Sequence, residues 1–143
     1  IIAATATVVA LIYLAIQVRS ATAAMKADSR RAEQYLPYAT SIIENAEVAR
    51  IFLAGLSGEP KLSPEDSARF HFLFGQYLGI EAAYFDEVRY GVGSEEILVN
   101  RGVQLARLLS TSGGKRHLKL YRQAHSKEFL DHIERVLMNF HAP

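Results

Sequence analysis

The chain opens on eighteen residues, Ile1 to Val18, in which apolar positions are nearly continuous and no charge occurs. At the α-helical rise this run makes about 27 Å of helix, close to the roughly 30 Å hydrocarbon core of a bilayer. Lipid offers exposed backbone groups no hydrogen-bond partner, so a segment placed there must be helical. Only Thr5, Thr7 and Gln17 are clearly polar; both threonines can return their hydroxyl to a carbonyl one turn back, and Gln17 lies near the exit. The pattern predicts a transmembrane helix over 1–18. Two other readings compete: a secretory signal peptide, for which Ala21-Thr22-Ala23 resembles a cleavage site, and a buried helix of a soluble core.

After Val18 the pattern becomes mixed. From Arg19 to about Leu36 the chain is rich in Ala, Gln, Glu, Lys and Arg, which are good helix formers, so the first helix is expected to continue. Pro37 should kink or end it, because proline lacks a donor and clashes with the preceding turn. A juxtamembrane extension over 19–45 therefore precedes a helical domain over 46–143. Asn45 reads as a cap for a short helix, Ala46 to Leu56, with Val48, Ile51, Phe52 and Leu56 along one side. Ser57-Gly58-Glu59-Pro60 reads as a loop.

Ser63-Pro64-Glu65-Asp66 is the clearest helix start: Ser as N-cap, Pro at the first helical position, and acids facing the positive end of the helix dipole. That helix can run to Tyr90 and stop at Gly91, with Phe70, Leu73, Phe74, Tyr77, Ile80, Tyr84 and Val88 as its buried stripe. Ser94-Glu95-Glu96 opens the next, whose apolar members are Ile97, Leu98, Val103, Leu105, Leu108 and Leu109, and Ser112-Gly113-Gly114 breaks it. Two last helices are expected, about Lys115–Gln123 and Lys127–Phe140. The final one shows Phe129, Leu130, Ile133, Val136, Leu137 and Phe140 at helical spacing. No stretch alternates with period two for long enough to suggest a strand. The expected fold is all-α: one N-terminal transmembrane helix continuing into a bundle of about five helices, with Pro64–Tyr90 at its centre.

Charge gives that picture an expected orientation. All sixteen Lys and Arg and all fifteen Asp and Glu follow Val18, and the domain beyond it has an ordinary soluble composition. Arg19, Lys26, Arg30 and Arg31 crowd the end of the apolar run, against Asp28 and Glu33, so the N-terminus is expected outside and the helical domain in the cytoplasm. The net charge of +1 speaks against a nucleic-acid binder, which needs a marked basic excess. No Met opens the chain, so residues before Ile1 are expected. Cysteine is absent, which removes disulfides, thiolate metal sites and a Cys nucleophile. Within the apolar run, Ala3/Thr7 and Ala6/Ala10 lie four apart, the small-residue spacing that lets helices approach closely in lipid.

Leu11-Ile12-Tyr13-Leu14-Ala15-Ile16-Gln17-Val18-Arg19 resembles the "LIYLAxQIR" signature of a large group of uncharacterised bacterial proteins that share a single N-terminal span and a short helical domain. The similarity continues through Ala46-Glu47-Val48-Ala49-Arg50 with Gly55, Leu62-Ser63-Pro64-Glu65, Arg69-Phe70, Glu81, Tyr84, Gly91 and the Phe129 helix. The chain departs from the pattern at Ser20-Ala21-Thr22, where an Asn-Thr pair is usual, and at His117-Leu118, where Trp is common. The resemblance implies architecture and carries no activity or site residues with it.

Candidate chemistry is sparse. Glu81 sits one turn from Tyr77 and Tyr84 on the central helix; a carboxylate there can have a raised pKa and hold a ligand, or it can be a structural group paired with Arg101 or Arg107 of the next helix. Asp86 and Glu87 add carboxylates, but a di-iron bundle needs Glu-x-x-His pairs and none is present. His117, His125 and His132 would share a face only on one unbroken helix, and Ser126 is expected to start a new one; Glu128 and His132, four apart, read as a surface pair. Gly91-Val92-Gly93 is better explained by helix capping than as a phosphate loop. Neither HExxH nor GxSxG occurs, so neither a cofactor nor an enzymatic activity is expected. Lys115, Arg116, Lys119 and Arg122 form a basic patch with no acid from Gly113 to Ala124, suited to anionic lipid or an acidic partner, or to a solvated face. The expected role is a non-catalytic, membrane-anchored accessory or adaptor subunit whose partners are membrane lipid and other membrane protein subunits. A tethered ligand-binding or sensory domain, with Phe70, Tyr77, Glu81 and Tyr84 lining its pocket, is the alternative.

Overall fold

The structure is a computed structural model that describes residues 16–19, 38, 40, 42, 44–58 and 62–140. Within these the chain is all-helical, with five α-helices: α1 Ala46–Ser57, α2 Pro64–Arg89, α3 Glu95–Ser110, α4 Ser112–Tyr121 and α5 Lys127–Phe140. A 3-10 turn, Arg122–Ala124, joins the last two.

Local chemistry sets the ends of these helices. Asn45 accepts hydrogen bonds from the Glu47 and Val48 amides at 3.0 and 3.2 Å, satisfying donors that a helix start leaves open. Gly58 closes α1 in the left-handed conformation (φ 72°), which a residue without a Cβ adopts at no steric cost. Ser63 caps the Asp66 amide at 3.0 Å and Pro64 takes the first helical position of α2. Thr111 and Ser126 cap α4 and α5 in the same way, through Gly114 and Phe129.

α2 is the central element and packs against each of the other four helices. Its buried face carries Phe70, Phe74, Tyr77, Leu78, Glu81, Tyr84 and Phe85. Around it, Ile51 and Leu56 of α1, Leu105 and Leu109 of α3, and Phe129 and Ile133 of α5 complete the core. Tyr38 and Ile42 pack on the same core ahead of α1, the Tyr38 ring stacking on Tyr77 with 6.3 Å between centroids. α4 approaches α1 closely at Gly113, where a Cβ would run into the Gly55 carbonyl and the Leu56 backbone.

Several expectations are corrected. The break after α3 falls at Thr111, not at Ser112-Gly113-Gly114, which instead form the first turn of α4. The threonine hydroxyl supplies the cap that ends one helix and starts the next, and glycine is needed there for close packing rather than for a turn. The helix expected over Lys115–Gln123 accordingly starts three residues earlier and tightens into the 3-10 turn after Tyr121. Leu78 and Phe85 are core residues of α2 outside the expected stripe, because a helix surrounded by neighbours buries more than one narrow face. Of the apolar members of α3 and α5, Ile97 and Val103 are 45% and 42% exposed, and Phe140 is 41% exposed.

The segment expected to be transmembrane falls almost wholly outside the described residues; only Ile16–Arg19 of this region are described, and they are helical and exposed. Ala3, Ala6, Thr7 and Ala10, and the kink expected at Pro37, also lie outside them. Among the described residues no helix is long and apolar enough to cross a membrane.

Candidate functional site

Two polar centres are built into the core, both on α2. The first is Glu81, only 4% exposed. Arg101 of α3 donates to both carboxylate oxygens, Nε to Oε2 at 3.0 Å and Nη2 to Oε1 at 2.8 Å, a bidentate fork. The guanidinium lies over the Tyr84 ring, 5.0 Å from its centroid. Burial pushes the Glu81 carboxyl above the usual range, and the charge and hydrogen bonds of Arg101 with a hydrogen bond from Tyr77 only partly offset it. Tyr84 donates to the Ser94 carbonyl at 3.0 Å and accepts from the Ser94 amide at 3.2 Å. It thereby fixes the connection from α2 to the start of α3.

Tyr77, Glu81 and Tyr84 are thus brought together, and Arg101 is the partner Glu81 takes. Arg107, the other candidate, lies exposed further along α3. Both oxygens of the carboxylate are occupied by the guanidinium, so the arrangement fastens α3 onto α2.

The second centre is a histidine pair. His71 of α2 and His117 of α4 place their Nδ1 atoms 3.0 Å apart. His117 is 2% exposed and is surrounded by Phe74, edge-on at 4.9 Å between centroids, and Tyr121 at 4.7 Å. Its Nε2 has no hydrogen-bond partner among the described residues. A Cβ on Gly75 would stand 3.9 Å from that atom, so it faces the bare backbone of α2. Of the two neutral tautomers, the less costly keeps the shared proton on His117 Nδ1 and leaves Nε2 a bare acceptor, since a buried N–H without an acceptor is the rarer defect. Burial first, then the neighbouring His71 and His125, pushes the His117 imidazole down to about 4. His71 is also lowered, by burial and by Arg116.

The other histidines do not join this pair. His125 sits in the turn before α5 against the Phe129 ring. His132 lies flat on Phe85, 4.8 Å between centroids, and burial lowers its pKa. It is a half-buried packing residue rather than the surface partner of Glu128 that the sequence suggested. Among the described residues no group of three or more His, Asp or Glu could hold a metal ion. The His71–His117 pair was invisible in sequence because its members are 46 residues apart and on different helices.

Two surface features remain. An apolar groove of about 450 Å³ runs along the seam of α3 and α5, floored by Gly102, Ala106 and Val136, walled by Val99, Val103 and Phe140, and edged by Arg135 and Asn139. Gly102 forms its floor because α3 and α5 come together there, a Cβ standing only 3.3 Å from Val136. The second feature is the α4 surface, where Lys115, Arg116, Lys119 and Arg122 are all exposed. Arg122 pairs with Glu134 of α5 at 2.7 Å; the other three have no carboxylate within bridging distance among the described residues. No family model, no curated protein and no solved structure matches the chain.

Proposed function

We propose that the chain is a non-catalytic accessory or adaptor subunit of a larger membrane protein complex, anchored by one N-terminal span with its helical domain on the cytoplasmic side. The observation that carries this reading is the uncharged run Ile1–Val18, followed at once by Arg19, Lys26, Arg30 and Arg31. The likeness of Leu11–Arg19 to the single-span group points the same way, and the small residues Ala3, Ala6, Thr7 and Ala10 suit contact with another helix in lipid.

The domain supports it from the other side. Glu81, the ionisable group most suggestive of chemistry, is taken up by Arg101, and the Tyr84 hydroxyl by Ser94. What the domain offers outward is apolar, the α3–α5 groove with Val99 and Val103 exposed on its wall. The test is extraction of native membranes in mild detergent and identification of proteins that travel with the chain, with Val103→Asp as the groove variant. A stoichiometric partner is expected. Recovery of the intact chain in the supernatant after alkaline washing overturns the anchor, and recovery alone from detergent overturns the subunit.

The second reading is a tethered ligand-binding or sensory domain. The pocket this reading favours is the α3–α5 groove rather than the Glu81 region, because the groove combines an apolar lining with a guanidinium, Arg135, at its edge.

A further inference from the structure

The α4 surface concentrates the charge of the molecule. Its four cations outweigh the net charge of the whole chain, which is +1, and no acid lies between Gly113 and Ala124. At about 100° per residue, Lys115, Lys119, Arg116 and Leu120 fall within an arc of roughly 140° on the side of the helix opposite buried Gly114 and His117. Leu120, on one edge of that arc, is 58% exposed. On the other flank of the cations a groove of about 350 Å³ opens between α4 and α5, with Leu118 and Leu137 on its floor and Lys115, Lys119 and Arg122 on its rim.

Cations alone describe any solvated helix. Cations with an uncovered leucine on one flank and an apolar groove on the other describe a surface that meets charge and hydrocarbon together. That is the chemistry of an anionic bilayer surface, where lysine stems lie along the acyl boundary with their ammonium groups at the phosphates. An acidic peptide would complement the cations but leaves Leu120 and the leucine floor without a reason.

We propose that α4 is a lipid-docking face: Lys115, Arg116 and Lys119 engage anionic phospholipid headgroups while Leu120 enters the interfacial layer. The proposal rests on the anchored reading above, which holds the domain near a bilayer and turns a weak contact into an intramolecular one. Its consequence is a domain laid against the membrane, leaving the α3–α5 groove for protein contact.

The absence of cysteine makes the test direct. Full-length chain carrying Leu120→Cys, labelled with an environment-sensitive fluorophore, is placed in nanodiscs of phosphatidylcholine alone or mixed with phosphatidylglycerol. Met138→Cys, on α5 and 66% exposed, is the control. With phosphatidylglycerol the Leu120 label is expected to shift to shorter wavelength and to be quenched by lipids spin-labelled near the headgroup, while the Met138 label stays in water. Each of Lys115→Glu and Lys119→Glu is expected to reduce the docked population at least roughly fivefold, and salt to reduce it further.

A Leu120 label equally water-exposed in both discs, with the chain still incorporated, overturns docking and leaves the anchor standing; a protein partner for α4 is then the remaining occupant. Equal protection in both discs overturns the role of anionic lipid. If the chain enters neither disc, the anchor falls, and binding to phosphatidylglycerol vesicles decides: salt-sensitive retention supports the docking face, and none overturns it.

Discussion

His71 and His117 face each other across the α2–α4 contact with 3.0 Å between their Nδ1 atoms, a distance that admits one proton and not two. The neutral pair shares that proton, and no second one fits between the rings. A proton on His117 must instead sit at Nε2, facing the backbone at Gly75 with no acceptor.

Acid should therefore loosen this domain well before its carboxylates are all protonated. The folded His117 is held down at about 4 against an ordinary 6.5, so the neutral form is favoured by folding. Its contribution is fully present above the unfolded value and is lost as pH falls through the folded one. His71, His125 and His132 are lowered too and carry the same sign. Stability is expected to fall between pH 6.5 and 4, with His117 alone accounting for about 2–3 kcal/mol at the lower end. Urea unfolding followed by circular dichroism across that range checks it; a flat profile refutes the assignment.

His117→Phe separates the imidazole from its packing. Phenylalanine takes an aromatic slot between Phe74 and Tyr121, removes the unpartnered Nε2 and leaves His71 open to solvent on its other side. The larger ring is expected to cost about 1–3 kcal/mol at pH 7 by overpacking, and the variant to lose less stability than the parent between pH 7 and pH 5. Unfolding midpoints at the two pH values make the comparison, and equal acid sensitivity in both proteins counts against the histidine pair.

The fold was largely legible where local chemistry decides it. Asn45, Ser63-Pro64 and Ser94-Glu95-Glu96 announce helix starts because capping is a matter of a few adjacent residues. The Glu81–Arg101 pair could be named because a carboxylate on an aromatic stripe needs a cation and the next helix offers few. The reading failed where distance in sequence hides contact in space. Gly113 reads as a breaker until α1 is seen lying against it, and the exposure of Val103, one apolar member among several, shows only once α3 and α5 are seen leaving a groove. The α4 patch was visible as charge, but the exposed Leu120 at its edge was not.

Arg101→Met leaves a carboxylate inside the core without its cation. The expected cost is about 2–4 kcal/mol at pH 7, because a buried charge stripped of its partner is penalised more than the pair is rewarded. Burial already pushes Glu81 up, so the unpaired carboxyl should take a proton. A raised folded pKa stabilises fully below the unfolded value and loses that contribution as pH rises, so the penalty should shrink from pH 7 toward pH 4.5. Adding Glu81→Leu is expected to recover much of the loss. A double-mutant cycle in urea measures the coupling, and a coupling near zero shows that the fork is idle.

Two glycines to alanine should move stability in opposite directions. At Gly113 a Cβ meets the Gly55 carbonyl and the Leu56 backbone, which cannot rotate away as a side chain could, so α1 and α4 must separate. Overpacking of this kind costs about 1–3 kcal/mol, more than the roughly 1 kcal/mol that alanine gains over glycine in a helix. At Gly79, in the exposed middle of α2, a Cβ meets nothing within 4 Å, so the propensity gain stands unopposed. Gly79→Ala is expected to raise stability by about 0.5–1 kcal/mol and Gly113→Ala to lower it. Thermal denaturation of the pair at pH 7.5, where the histidines contribute no slope, reads both signs. If Gly113→Ala is as stable as Gly79→Ala, α4 does not lie against α1 as described, and the histidine pair it carries loses its setting.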